Sequence, residues 1–290
     1  MKIINGGVTA PKGFEAAATA AKIKYQDRTD MAMIYSQVPC ECAGTFTTNV
    51  VKAACVKWDQ QVVNSGVKAQ AVIVNSGIAN ACTGAEGFGY CKDTAAAAAE
   101  ALDISADGVL IGSTGVIGKQ LPIDRITAGV KVLAGKKNDT TENGTEAARA
   151  IMTTDTFEKQ LAVEIEVGGK TVTIGGMAKG SGMIHPNMCT MLSFVTTDAV
   201  ITKEALQKAL SDDVDDTYNM ISVDGDTSTN DTVVVLANGM AGNEEITVDS
   251  ESYPVFASAL HEINEYLAKK IAGDGEGATA LFEVQVVGAD

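Results

Sequence analysis

The centre of the chain is patterned in twos. Leu161 to Val167 and Lys170 to Ile174 alternate apolar and polar residues on either side of Gly168-Gly169, the signature of a β-hairpin. A period of two puts the apolar residues on one face, and a second layer must cover that face. Met191 to Thr196 and Thr232 to Ala237 read as further strands in this region. Ala71 to Asn75 and Val109 to Ile111 are shorter apolar runs of the buried-strand type. Helical spacing appears elsewhere. Phe256, Leu260, Ile263, Leu267 and Ile271 form one stripe on a helix over Pro254 to Ile271. Asp93 to Leu102, Gly144 to Met152 and Lys203 to Leu210 also read as helices. The alanine-rich stretch Phe14 to Lys22, after Pro11 and Gly13, is expected to be another. Asn75 to Gly84 and residues 136–145 read as loops, and Phe282, Val284 and Val286 as a final strand. Strands and helices interspersed in this way predict an α+β layered sandwich.

Charge narrows the function. There are 22 basic against 37 acidic residues, and the longest basic runs are Lys136-Lys137 and Lys269-Lys270. Nucleic acid and anionic membranes are recognised by clustered basic faces, and the sequence has none. No apolar run reaches the length of a membrane span, and Met1 to Gly7 lacks a signal-peptide core, so a cytoplasmic location is expected. The six cysteines then read as reduced thiols. Cys40-Glu41-Cys42 has no second close pair to complete a metal site, so no metal is expected.

Several motifs fail on inspection. Gly168-Gly-Lys-Thr171 lacks the glycine a phosphate loop needs where Glu164 stands. Asp224, Asp226, Ser228 and Asn230 mimic the first ligands of a calcium loop, but Thr229 and Val235 occupy its glycine and glutamate positions. A turn held by side-chain-to-backbone bonds fits better. Of the two histidines, His261 reads as a solvated residue opposite the helix stripe, and His185 as either a base or a turn residue. The least ordinary segment is Gly175 to Leu192. It has four glycines within eight residues around Lys179, then Pro186 before Cys189-Thr190. One reading is a flexible connection into a strand. The other is self-processing, in which the Thr190 hydroxyl attacks the Cys189 carbonyl and hydrolysis frees an α-amino group. Such an amine has an ordinary pKa of about 7.7–8.0 and can serve as a base.

At this segment a resemblance becomes specific. Lys179-Gly-Ser-Gly-Met-Ile-His-Pro-Asn-Met-Cys-Thr-Met-Leu192 resembles the cleavage motif of the bifunctional ornithine acetyltransferase/N-acetylglutamate synthase family of arginine biosynthesis. Val74 to Gly84, Ser113 to Gly118, Thr153 to Thr156, Val223 to Asp231 and Asp274 to Thr279 resemble family segments in the same order. The resemblance implies an αββα sandwich of the self-cleaving aminopeptidase type over residues 1–280. Cleavage before Thr190 would give an α chain, 1–189, and a β chain, 190–290, in an α2β2 assembly. It implies transfer of acetyl from N2-acetylornithine to glutamate, with acetyl-CoA as a further donor in many members and no bound cofactor.

By the same resemblance Thr190 is the nucleophile, Thr114 and Gly115 supply the oxyanion hole, and Thr154, Lys179, Thr190 and Glu276 bind substrate. Lys179 suits a substrate carboxylate and Glu276 an ammonium group. Cys189 stands where the family usually has alanine. The family continues past Asp290 into a small C-terminal domain, of which residues 281–290 would be the start. Two alternatives stay open: an amidohydrolase of the same fold, and an uncleaved, inactive fragment.

Overall fold

A computed structural model describes residues 1–185 and 191–288. In chain order these form β1 (Lys2–Ile4), β2 (Phe14–Thr19), β3 (Met31–Phe46), α1 (Ala54–Ser65), β4 (Ala69–Ile78), α2 (Gly84–Leu102), β5 (Val109–Val116), α3 (Ile123–Lys136) and α4 (Thr141–Ala150). They continue through β6 (Lys159–Val167), β7 (Lys170–Lys179), β8 (Leu192–Thr197), α5 (Lys203–Asp216), β9 (Thr232–Ala237) and α6 (Tyr253–Gly273).

The strands make two sheets joined through β3. Its first part, Met31 to Cys40, pairs with β2 and β4, and β4 pairs in parallel with β5. Its second part, Glu41 to Phe46, pairs with β9. The second sheet then runs β9, β8, β7, β6, β1. The register on β4 shifts between Tyr35 and Cys40, which lets one strand turn from one sheet into the other.

Side-chain alternation shows the layers. On β4, Ala71 and Ile73 join the core under α1, α2 and α3, while Val72 and Val74 point between the sheets. On β9, Val233 and Val235 lie under α5 and α6, while Val234 and Leu236 point between the sheets. Both faces of both sheets are therefore apolar, and helices cover the two outer ones. This is the expected four-layer αββα sandwich. α4 adds Ala147, Ala148 and Ala150, and the residue after it Ile151, to the core between the sheets.

Glycine sets two of these features. Gly168 and Gly169, at φ +57° and +74°, make the two-residue turn between β6 and β7, as the alternation predicted. At Gly176 on β7, a Cβ would lie 2.8 Å from Ile263 of α6, so only a bare backbone admits the helix at that distance. The stripe Phe256, Leu260, Ile263, Leu267 and Ile271 is wholly buried against this sheet.

Four expectations are corrected. Phe14 to Thr19 is strand β2, not a helix, because it pairs along its whole length with Met31 to Ser36 of β3 and is covered on both faces. Ala16 faces the inter-sheet core and Ala17 the helical layer, both fully buried. The expected loop from Asn75 is strand as far as Ile78. The loop over 136–145 gives way to α4 at Thr141, where the Thr140 hydroxyl caps the helix by accepting the Asn143 N–H. Phe282, Val284 and Val286 alternate in sequence but lie exposed, and no described strand contains them. α1 and α3 carried no prediction.

Candidate active site

The two sheets approach each other closely at Gly112, where a Cβ would lie 2.9 Å from the Phe194 ring. Thr114 follows on the same side of β5 and is buried. Gly115 has φ +127°, and a Cβ there would sit 2.3 Å from the carbonyl carbon of Gly77. The position admits only glycine. A chain of buried hydrogen bonds fixes this end of β5. Ser113 donates to Asn75 (2.7 Å), and the Asn75 amide donates to the Ile78 carbonyl (2.8 Å). The Asn230 side chain donates to the carbonyls of Ser113 (2.8 Å) and Ala79 (2.6 Å).

Asn230 is followed by Asp231, which is fully buried and accepts the Met191 N–H at 3.0 Å. The Thr232 N–H donates back to the Met191 carbonyl at 3.1 Å. Residues 230–232 thereby tie Thr114-Gly115 to the first described residue after position 190. Burial holds the Asp231 carboxyl well above the usual carboxylate range, against the Met191 N–H and the nearby Lys179 charge.

Lys179 ends β7 on the side facing the other sheet, two residues after Met177. It is not a surface charge: the residue is 2% exposed. Its ammonium donates to the Thr153 hydroxyl (2.9 Å) and lies 3.6 Å from Asp155. Burial lowers its pKa, and Asp155 opposes that shift. Burial alone would push the Asp155 carboxyl up. Lys179 and Lys159 outweigh burial and hold it at about 2. Lys159 is buried as well and bridges Asp155 (2.9 Å) and Asp274 (2.6 Å).

Glu276 is exposed, and its N–H donates to the Ser181 carbonyl at 2.7 Å. Ser181 donates to the Asp274 carbonyl, also at 2.7 Å. A Cβ at Gly182 would come within 2.5 Å of Glu276 Oε2, so the carboxylate lies over the glycine-rich run that follows Lys179. Thr154 is exposed beside Thr153.

Thr153, beside Thr154, bonds Lys179, and Glu276 bonds Ser181 two residues further on, so the three candidate residues lie on connected segments. Thr114 and Gly115 are linked to Met191, beyond the same run, through Asn230 and Asp231. Cys189 and Thr190 lie outside the described residues. Asp224 accepts the N–H groups of Met183, Ile184 and Asp226, so its carboxylate supports a turn, as expected. Among the described residues no cluster of three or more His, Cys, Asp or Glu has the form of a metal site. His185 is half-buried, with Nδ1 3.5 Å from the Ser222 hydroxyl. His261 is not simply solvated: its Nδ1 sits 2.6 Å from Asp213, tying α6 to α5.

Sequence reasoning missed Thr153, Asp155, Lys159, Asn230, Asp231 and Asp274 as working parts. All but Lys159 lie inside segments that carried the resemblance. The available signal was polar residues packed into glycine-rich turns, a pattern that also describes ordinary loops.

Comparison with known proteins identifies the family. A model of the ArgJ family matches residues 15–290. The arginine biosynthesis bifunctional protein ArgJ of Symbiobacterium thermophilum is 54% identical over all of this chain and 72% of that protein. The ornithine acetyltransferase of Mycobacterium tuberculosis, solved in complex with ornithine, is 43% identical with a TM-score of 0.58, covering 64% of this chain and 97% of that one. The L-aminopeptidase D-Ala-esterase/amidase of Ochrobactrum anthropi is only 12% identical, with a TM-score of 0.57 over 96% of this chain and 90% of that one, a likeness of fold alone. With a family match over nearly its whole length and relatives at half identity, the chain belongs to the ArgJ family.

Proposed function

We propose that this protein moves an acetyl group from N2-acetylornithine to glutamate through an ester on the Thr190 hydroxyl. First the Thr190 oxygen attacks the Cys189 carbonyl carbon. The amide C–N bond breaks, the nitrogen takes a proton, and water hydrolyses the resulting ester. The freed amine of Thr190 then accepts the hydroxyl proton as the oxygen attacks the acetyl carbonyl. Donors at Thr114 and Gly115, near the end of β5, face the developing oxyanion, an effect worth about 2.7–4 kcal/mol per donor. Ornithine leaves with the proton on its amine, and the amine of glutamate reverses the sequence.

One observation carries this reading. Lys179, buried, begins the glycine-rich run that leads to position 190, and the carboxylate of Glu276 lies over Gly182 of the same run. They suit the carboxylate and the side-chain ammonium of an ornithine derivative. In the same reading acetyl-CoA is a second acetyl donor, residues 1–189 and 190–290 are the two chains of one sandwich, and residues 281–290 open a small C-terminal domain. The chains pair as α2β2 in the cytoplasm.

Intact mass spectrometry beside Thr190→Ala tests the cut: two species ending at Cys189 and starting at Thr190 are expected, with the variant whole. Incubation with N2-acetylornithine tests the transfer. N-acetylglutamate should form only when glutamate is present. Acetate released without glutamate, at a comparable rate, would make the protein an amidohydrolase instead.

A further inference from the structure

Among the described residues β5 has a single strand neighbour, β4, so its other edge lacks a partner strand. Successive residues of a strand turn their N–H and C=O groups to opposite edges, which puts Val109, Ile111, Ser113 and Gly115 on this one. Side chains take the place of the missing strand there. The Trp58 indole N–H donates to the Val109 carbonyl (2.9 Å), Asp59 Oδ1 accepts the Ile111 N–H (2.8 Å), and the Asn230 amide donates to the Ser113 carbonyl (2.8 Å). Gly115, the next residue in the row, carries one of the candidate oxyanion donors.

Trp58 and Asp59 belong to α1, whose start is itself tied to the site. The Ala53 N–H donates to the Thr229 carbonyl (2.9 Å), next to Asn230, and the Ala54 N–H to the Asn80 carbonyl (3.0 Å). Cys55, one turn before Asp59, has its sulfur 3.6 Å from the Asn230 amide nitrogen. Asp59 is completely buried, and its Oδ2 has no hydrogen-bond partner among the described residues. A buried carboxyl with an unpaired oxygen is costly to a fold, and here its bond goes to β5. Burial pushes this carboxyl well above the usual carboxylate range, against the pull of the Ile111 N–H. Asparagine is then its match in shape and charge.

We propose that Asp59 is a positioning residue for the oxyanion donors: from α1 it sets the free edge of β5 ahead of Gly115, and so the place at which Thr114 and Gly115 meet the reacting carbonyl. The inference rests on the reading of Thr114 and Gly115 as those donors. Misplacing a catalytic group by about 1 Å costs on the order of a hundredfold in rate.

The test compares the wild type, Asp59→Ala and Asp59→Asn in steady-state transfer from N2-acetylornithine to glutamate and in amide NMR spectra. Asp59→Ala removes the acceptor of the Ile111 N–H, and Asp59→Asn keeps it. Rates are measured well below the Tm of each variant, so that unfolding does not enter them. In Asp59→Ala kcat should be at least about tenfold lower, with both KM values within about twofold of the wild type, and Asp59→Asn should restore kcat. The Thr114 and Gly115 amide signals should shift in Asp59→Ala and return in Asp59→Asn. A raised KM at unchanged kcat, an equal loss in the two variants, or shifts confined to Ile111 and its chain neighbours overturns the proposal.

If Asp59→Ala does not fold, Trp58→Phe decides, because Trp58 is half-buried and the change removes the donor to Val109 while keeping a ring. Then kcat and the two signals should move in the same direction, and no movement overturns the proposal. The signals are read without turnover. A protein in which they follow Asp59 but no acetyl group moves sinks the proposed reaction and leaves the hold of Asp59 on this edge standing. An active wild type whose signals ignore Asp59 sinks the inference alone.

Discussion

A lysine with almost no contact with water keeps its charge only through its neighbours. Asp155 is the counter-charge of Lys179, and removing it shifts two pH dependences. Lys179 must be protonated to hold a carboxylate, and burial already sets its pKa below the usual lysine range. Asp155→Asn lowers it further, so substrate binding should fail at lower pH than in the wild type, seen as a shifted alkaline limb of kcat/KM. The carboxyl of Asp155 itself is depressed from 3.8 to about 2. Its stabilisation, about 2 kcal/mol, is present above the unfolded pKa and lost as pH falls through the folded one. Urea unfolding should therefore show a gap between wild type and Asp155→Asn at pH 7 that narrows below pH 4. Gly115 makes a second prediction at this scale. Gly115→Ala adds a Cβ against the Gly77 backbone at a positive φ, with strain on the order of 1–3 kcal/mol. In the proposed reaction, where Thr114 and Gly115 supply the oxyanion donors, acetyl transfer should fall by at least about a hundredfold.

Among the elements, those whose periodicity and packing agree were legible. The β6–β7 hairpin, β8, β9 and α6 are each buried on the face their sequence marks. β2 was misread because alanine favours helices in isolation, whereas here the segment pairs with β3 and is covered on both faces. Phe282 to Val286 shows the reverse, a strand pattern with no described partner strand. The site divides in the same way. Its end groups were marked by resemblance, while the Asp155–Lys159–Asp274 bridge joins residues 274 and 155 and has no sequence period. The close seat of α6 on β7 gives a direct test. Gly176→Val drives a side chain into Ile263 and Leu267 and should cost about 1–3 kcal/mol, measured as a fall in Tm.

Across the whole molecule, the position of β8 and β9 governs what a break at residue 190 means. Both strands follow that position, and they lie between β7 and β3, which precede it. The two pieces would be interleaved, with neither resting on the surface of the other. Withdrawing the later piece would split the second sheet down its middle and expose two long unpaired strand edges. The severed protein should therefore stay together without any covalent link, and its halves should not exchange between molecules. Assembly before scission is the simpler order, because the earlier piece alone leaves β7 and β3 without the strands that join them. The break then acts as a ratchet. Once denatured, the cut protein must re-form by a two-body, concentration-dependent encounter, whereas uncut Thr190→Ala refolds as one chain, and the yields of the two should diverge on dilution.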